Sequence, residues 1–307
     1  MQELSMQKQS LLQAQVEQMS HQPQVQVVVT YIPQPLLSVE KLLEILMTPP
    51  NLLPSQWSIS HIVHGDSETV LSLTTHGLSP GQQERLAVMM QEPKFRSWFK
   101  TSQSSILVAN SLDYSSDPVS SMSFMCGLLS STISQLGFQA PLTFYCSLHS
   151  APGDVFDGAN GLLRSLISQL LVSYGAMVHV TFLNNLEEVE SLKRHDLHAL
   201  CRLFQNLLAC LDQAVVFCLI DSVSWLETPS LQADMDVVMY FLRDLTTEIA
   251  ESRSRVVFKL LVTTAATGWG CRRWFHGADE VFLSEDDYVD GRGSTADDIN
   301  LHAAALY

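Results

Sequence analysis

The chain is 307 residues long, 46% apolar and only 16% charged, with 17 Lys and Arg against 32 Asp and Glu for a formal net charge of −15. That length suffices for one large domain or two small ones with a sizeable core, and the charge content falls below the roughly 25% of an ordinary soluble domain. An acidic chain without a basic stripe argues against nucleic-acid binding, which needs clustered Lys and Arg. No apolar run approaches the roughly 18 residues of a membrane span, and the Gln-rich start lacks the basic and apolar regions of a secretory signal. The six cysteines are widely spaced with no C-x-x-C pair and read as buried free thiols of a reducing compartment, so a cytoplasmic location is expected.

In chain order, residues 1–34 hold ten glutamines interleaved with Leu and Val, a leader that is flexible or helical. From Pro35 the spacing Leu36, Leu37, Val39, Leu42, Leu43, Ile45, Leu46 predicts a helix N-capped by Ser38 and closed by Pro49-Pro50. Trp57 to Val63 alternates and reads as a strand, and Pro80 to Met90 as a short helix opened by its proline. Then come four apolar runs of strand length, Ser105–Ala109, Leu142–Leu148, Val215–Ile220 and Val256–Val262, with a shorter fifth at Val281–Leu283. Helical periodicities lie between them, marked by Met122 to Leu136, Leu162 to Leu171, Leu197 to Leu211 and Val237 to Ile249. Strands apolar throughout, separated by amphipathic helices, predict a doubly wound, mostly parallel five-stranded α/β sheet covered on both faces. The expected organisation is a leader (1–34), a helical or mixed N-terminal segment (35–90), the α/β domain (91–285) and an acidic tail (286–307).

In an open parallel sheet ligands sit outside the carboxyl ends of the strands. The residues that matter there are Phe95-Arg96-Ser97-Trp98-Phe99, the strand ending Ala109-Asn110, Leu142-Thr143-Phe144-Tyr145-Cys146, the helix Leu162-Leu163-Arg164-Ser165-Leu166-Ile167-Ser168-Gln169-Leu170-Leu171, the strand closing on Asp221, and Phe258 to Thr264. Over roughly residues 90–285 this order resembles the NACHT-like, P-loop NTPase-type domain of signal-transduction ATPases with numerous domains (the STAND class), especially its fungal set. The resemblance implies a site for Mg-ATP or Mg-GTP at Asn110, Ser111, Ser120, Asp221, Thr263 and Thr264, with Asp221 as metal ligand and catalytic carboxylate. The departures are as informative. A phosphate loop needs glycines and a lysine, whereas Ser111 to Ser120 has neither and carries Asp113 and Asp117, which repel a polyanion. Ser224 and Trp225 stand where a second acidic pair would follow Asp221, and Ala265 stands where the sensor strand would carry an arginine.

Three damaged motifs favour a domain that kept its packing and lost hydrolysis. The expected function is a catalytically degenerate module acting as a protein-interaction or regulatory scaffold, with other proteins or a second copy as partner, no nucleic acid and no bound cofactor. One alternative is an active or nucleotide-sensing ATPase or GTPase with an unconventional loop; another is a hydrolase using His149 with Asp154 or Asp157. His61-x-x-His64 and His195-x-x-His198 each offer two metal donors where zinc needs three or four, and Asp196 reads as the N-cap of the helix from Leu197. Trp225, Trp269 and Trp274 are placed beside strand ends, where large aromatics could plug the cleft.

Overall fold

Strands that are apolar on both sides need cover on both sides, and the computed structural model shows how the chain supplies it. The chain divides into two units, Met1–Gln34 and Pro35–Tyr307. The structure describes residues 35–48, 59–73, 78–111, 119–135, 141–151, 153–175, 177–252, 254–264 and 269–283, all in the second unit. The expectations for the 1–34 leader, for Asp113 and Asp117, for Ala265 and for the 286–307 tail fall outside these residues.

Among the described residues four helices come first: α1 (Val39–Met47), α2 (Ile59–Leu73), α3 (Pro80–Gln91) and α4 (Pro93–Lys100). Then β1 (Ser105–Asn110), α5 (Ser121–Gln135), β2 (Leu142–Tyr145), α6 (Gly158–Tyr174), α7 (Leu186–Lys193), α8 (Leu197–Ala209), β3 (Ala214–Asp221), α9 (Gln232–Glu251), β4 (Val256–Thr264), α10 (Trp269–Trp274) and β5 (Asp279–Phe282) follow. The five strands form one sheet in the order β2-β3-β4-β1-β5, every pairing parallel. This is the doubly wound, P-loop NTPase-like α/β fold with a helical N-terminal part.

Strand alternation sorts the core into two layers. Val216, Cys218 and Ile220 of β3 join Phe258, Leu260 and Val262 of β4 in a layer with α1, α6, α8 and α9. Phe217, Leu219 and Leu261 face the other way, into a layer with α3, α4 and α5. In that second layer Phe217 stacks on Phe99 at 5.4 Å between centroids and meets Trp98 edge-on at 5.9 Å. The connection after β1 thus crosses one face and those after β2 and β3 the other, so the loops from β1, β3 and β4 meet at one sheet edge where the winding changes sides, the usual place for a ligand.

Ser38 caps α1 by accepting from Lys41 N at 3.3 Å, and Ser79 and Gln82 close a reciprocal capping box at α3. Asp196 caps α8 as its sequence predicts, accepting from Ala199 N at 2.8 Å. The alternation from Trp57 to Val63 misleads: residues 59–63 open helix α2, since Ile59, Ile62 and Val63 also fit the i, i+3, i+4 spacing of a helix. Among the described residues no helix is long and apolar enough to cross a membrane. All six cysteines are free, five of them buried.

Candidate functional site

The last residue of β3 is Asp221, 1% exposed. Its Oδ1 accepts from the Thr263 hydroxyl of β4 at 2.6 Å, and its Oδ2 from the Ser123 hydroxyl of α5 at 2.7 Å. Ser222, next in the chain, takes a left-handed conformation (φ 54°), uncommon for a residue with a Cβ and concentrated at sites the surrounding structure enforces. The turn delivers its amide N–H to Thr263 Oγ1 at 2.8 Å. Thr263 therefore accepts from Ser222 and donates to Asp221. Ser123 reaches the site because it sits at the third position of α5, where it exchanges capping hydrogen bonds with Ser120: Ser123 N donates to Ser120 Oγ at 3.1 Å, and Ser120 N to Ser123 Oγ at 3.0 Å.

The carboxyl of Asp221 is held above the ordinary carboxylate range by burial, opposed by the hydrogen bonds from Thr263, Ser123 and Ser222; no cation is among the groups that shift it. The sequence explains that imbalance, because no Lys or Arg occurs between Lys100 and Arg164. Nearby, Ser111 joins the end of β4 through its N–H and hydroxyl, both donating to the Thr264 carbonyl at 3.0 and 3.3 Å. Asn110 Nδ2 and Ser121 Oγ are buried with no hydrogen-bond partner among the described residues. Asp221, Thr263 and Ser120 thus converge through Ser123, Ser111 and Thr264 pair beside them, and Asn110 closes β1 with its amide nitrogen unused. Sequence reasoning passed over Ser123 and Ser222; the Ser120-x-x-Ser123 spacing marks a helix cap but not that Ser123 meets Asp221, and nothing local marks Ser222.

These residues do not fit a magnesium-nucleotide site of the usual kind. A polyphosphate needs cations beside it, and no cation is among the groups that shift Asp221; each of its oxygens accepts one hydroxyl proton and keeps a further lone pair. Among the described residues no group of three or more His, Cys, Asp and Glu could hold a metal ion. Glu227, the next acidic residue, turns to α10, where its Oε2 accepts from Gly270 N at 3.4 Å.

His149 lies just past β2, 8% exposed. Its Nδ1 is 2.8 Å from Asp154 Oδ1 and its Nε2 3.0 Å from Asp66 Oδ2, so both nitrogens are engaged. Asp154 Oδ1 also accepts from Phe156 N at 2.7 Å, and Asp157 precedes α6 without a side-chain cap bond. The side chains of His61 and His64 lie outside the described ones, and His195 donates from Nε2 to the Ile45 carbonyl of α1 at 2.7 Å. Trp274 does not plug the cleft: it is buried in the core with its Nε1 on Asp236 at 2.6 Å.

The helix that carries the resemblance, α6, is a packing device. Its Arg164 is buried and donates to Asn160 Oδ1 and the Leu46 carbonyl, both at 2.8 Å, and to the Val155 carbonyl. Gly161 lets the backbone of Phe156 approach α6 closely, since a Cβ there would lie 2.0 Å from the Phe156 carbonyl. Burial lowers the Arg164 pKa to about 10, which leaves it a cation.

Fold and site together define a P-loop NTPase-like α/β protein whose strand-end carboxylate accepts from two hydroxyls. A family model described as nephrocystin 3, N-terminal, matches residues 86–264, more than half of the chain, and the chain belongs to that family. Neither the curated proteins nor the solved structures contain a match.

Proposed function

We propose that this chain is a catalytically degenerate, NACHT-like module of the STAND class, of fungal type, that works in the cytoplasm as a protein-interaction or regulatory scaffold. The observation that carries the reading is that Asp221 accepts from two hydroxyls, of Thr263 and Ser123, while among the described residues no Lys or Arg is one of the groups that shift it. A polyphosphate needs compensating cations, and among the described residues the strand ends supply none. What the domain kept is packing, which suits a part that presents surfaces and does not turn over substrate.

A second reading, nucleotide sensing without hydrolysis, draws on the unpartnered Asn110 Nδ2 and Ser121 Oγ, since buried polar groups are ordinarily paired. One titration separates the two. A ligand that binds only the folded state stabilises it by about 2.7 kcal/mol at a hundredfold excess over Kd. The expected outcome for the full chain is an unchanged Tm with ATP, ADP or GTP plus magnesium. A dose-dependent, magnesium-requiring rise that Asp221→Asn abolishes would overturn the proposal in favour of nucleotide binding.

A further inference from the structure

Helix α2 presents polar as well as apolar groups to the body: among residues 65–73, Gly65, Ser67 and Val70 are buried, with Val70 in the core layer of α3, α4 and α5. Its packing against α5 leaves a cavity of about 260 Å³ bordered by Ser67, Ser130, Ser131 and Ser134. Polar contacts join α2 to β2 and the loop after it: Ser67 Oγ lies 3.0 Å from Tyr145 Oη and 3.4 Å from Thr143 Oγ1, and Asp66 reaches His149. The imidazole is fixed in plane, stacked on Phe144 at 4.9 Å and met edge-on by Phe156 at 5.6 Å.

We propose that His149 is a proton-operated latch that, as imidazolium, holds α2 to the edge of the sheet by bridging Asp66 and Asp154, and that loss of its proton frees α2. An imidazolium donates from both nitrogens; a neutral ring donates from one and turns the lone pair of the other toward a carboxylate. The bridge therefore has one favourable protonation state, and its two arms belong to elements far apart in sequence.

The charged groups acting on the ring are Asp66 from α2 and Asp154 from the loop before α6. Arg164 of α6 acts through Asp154, and its guanidinium sits 5.4 Å from the Phe156 ring centroid. Burial alone pulls the His149 pKa down, but hydrogen bonds and charge from Asp66 and Asp154 override it and place it above the ordinary 6.5. A raised folded-state value means that the bridge contributes fully below the unfolded pKa and is lost as pH rises through the folded one.

The test is hydrogen exchange of the full chain at about pH 5.5 and about pH 8.5, where exposed carboxylates are ionised, each amide rate divided by its intrinsic rate at that pH. Protection of α2 is expected to fall by about tenfold for each unit by which docking raises the His149 pKa, while β3 protection stays level. In His149→Gln the α2 signal should be low at both pH values. Should that variant fail to fold, Asp66→Asn keeps the Asp154 arm and is expected to give α2 its high-pH behaviour already at pH 5.5. Equal α2 protection at both pH values in the unsubstituted chain, or a pH dependence that survives Asp66→Asn, overturns the latch.

Discussion

Arg164 and Gln169 of α6 satisfy backbone groups of other elements, whereas Asp221, Thr263 and Ser123 at the strand ends bond to one another. Arg164 caps the C-terminal carbonyl of α1 at Leu46 and the Val155 carbonyl. Gln169 covers the open edge of β2, accepting from Thr143 N at 2.8 Å and donating to the Thr143 carbonyl at 2.7 Å. At the strand ends, Asp221, Thr263 and Ser123 form a closed set, and Asn110 and Ser121 are left over. The difference predicts opposite responses to mutation. Removing a group along α6 orphans buried backbone, which is costly; neutralising the carboxylate at the strand ends orphans nothing and relieves a buried charge.

The largest effect is expected for Arg164→Ala. Two carbonyls lose a charged donor, at roughly 1.5–3 kcal/mol each, so unfolding in urea should show a loss of about 3–5 kcal/mol. A midpoint within about 1 kcal/mol of the unsubstituted chain, the range of an unremarkable surface change, would show that α1 is not held there and would erase the contrast.

The sheet was legible in the sequence because β1, β3 and β4 are apolar on both sides and the helices between them repeat at 3.6 residues. Those two signals need no tertiary information. Residues 59–63 were misjudged because a five-residue stretch with Ile59, Ile62 and Val63 satisfies both periods, and the Ser67, Tyr145 and Thr143 contacts that fix α2 join residues more than 70 positions apart. At the candidate site, Asp221 and Thr263 stood out as strand-end polar residues. Their closure by Ser123 was hidden, because a serine at the third position of a helix has the same local sequence whether it faces solvent or a carboxylate of β3. The Asp66 arm of His149 was hidden for the same reason: nothing near either residue announces the other, 83 positions away.

An intermediate effect is expected for Gln169→Leu. The substitution keeps the volume and leaves Thr143 N and O of an edge strand without partners, a loss of about 1–3 kcal/mol. An uncovered edge also invites pairing with another chain. Sedimentation should therefore show concentration-dependent association that the unsubstituted protein lacks at equal concentration. Loss of stability without association would place the role of Gln169 inside the fold alone and sharpen the contrast with Arg164, which covers no edge.

The smallest effect, and the one of opposite sign, is expected for Asp221→Asn. Burial raises the carboxyl in the folded state, so the native chain holds that proton more tightly than the unfolded chain does. Stability of the unsubstituted protein then falls as pH rises from the unfolded value of 3.8 through the raised one, and levels off above it. The amide is nearly the same size, its oxygen can still accept from Thr263, and its nitrogen can donate to a Ser123 hydroxyl that rotates to accept. Unfolding measured across that pH range should therefore find the two proteins alike at the acid end, and the variant equal or more stable by up to about 1 kcal/mol at neutral pH, a modest part of what an unpaired buried charge can cost. A loss above about 2 kcal/mol would mean that the negative charge itself holds the strand ends together. A carboxylate needed for its charge in so dry a place would have to be answering a cation, and Asp221 would then belong with groups that bind one, not with the packing of β3, β4 and α5.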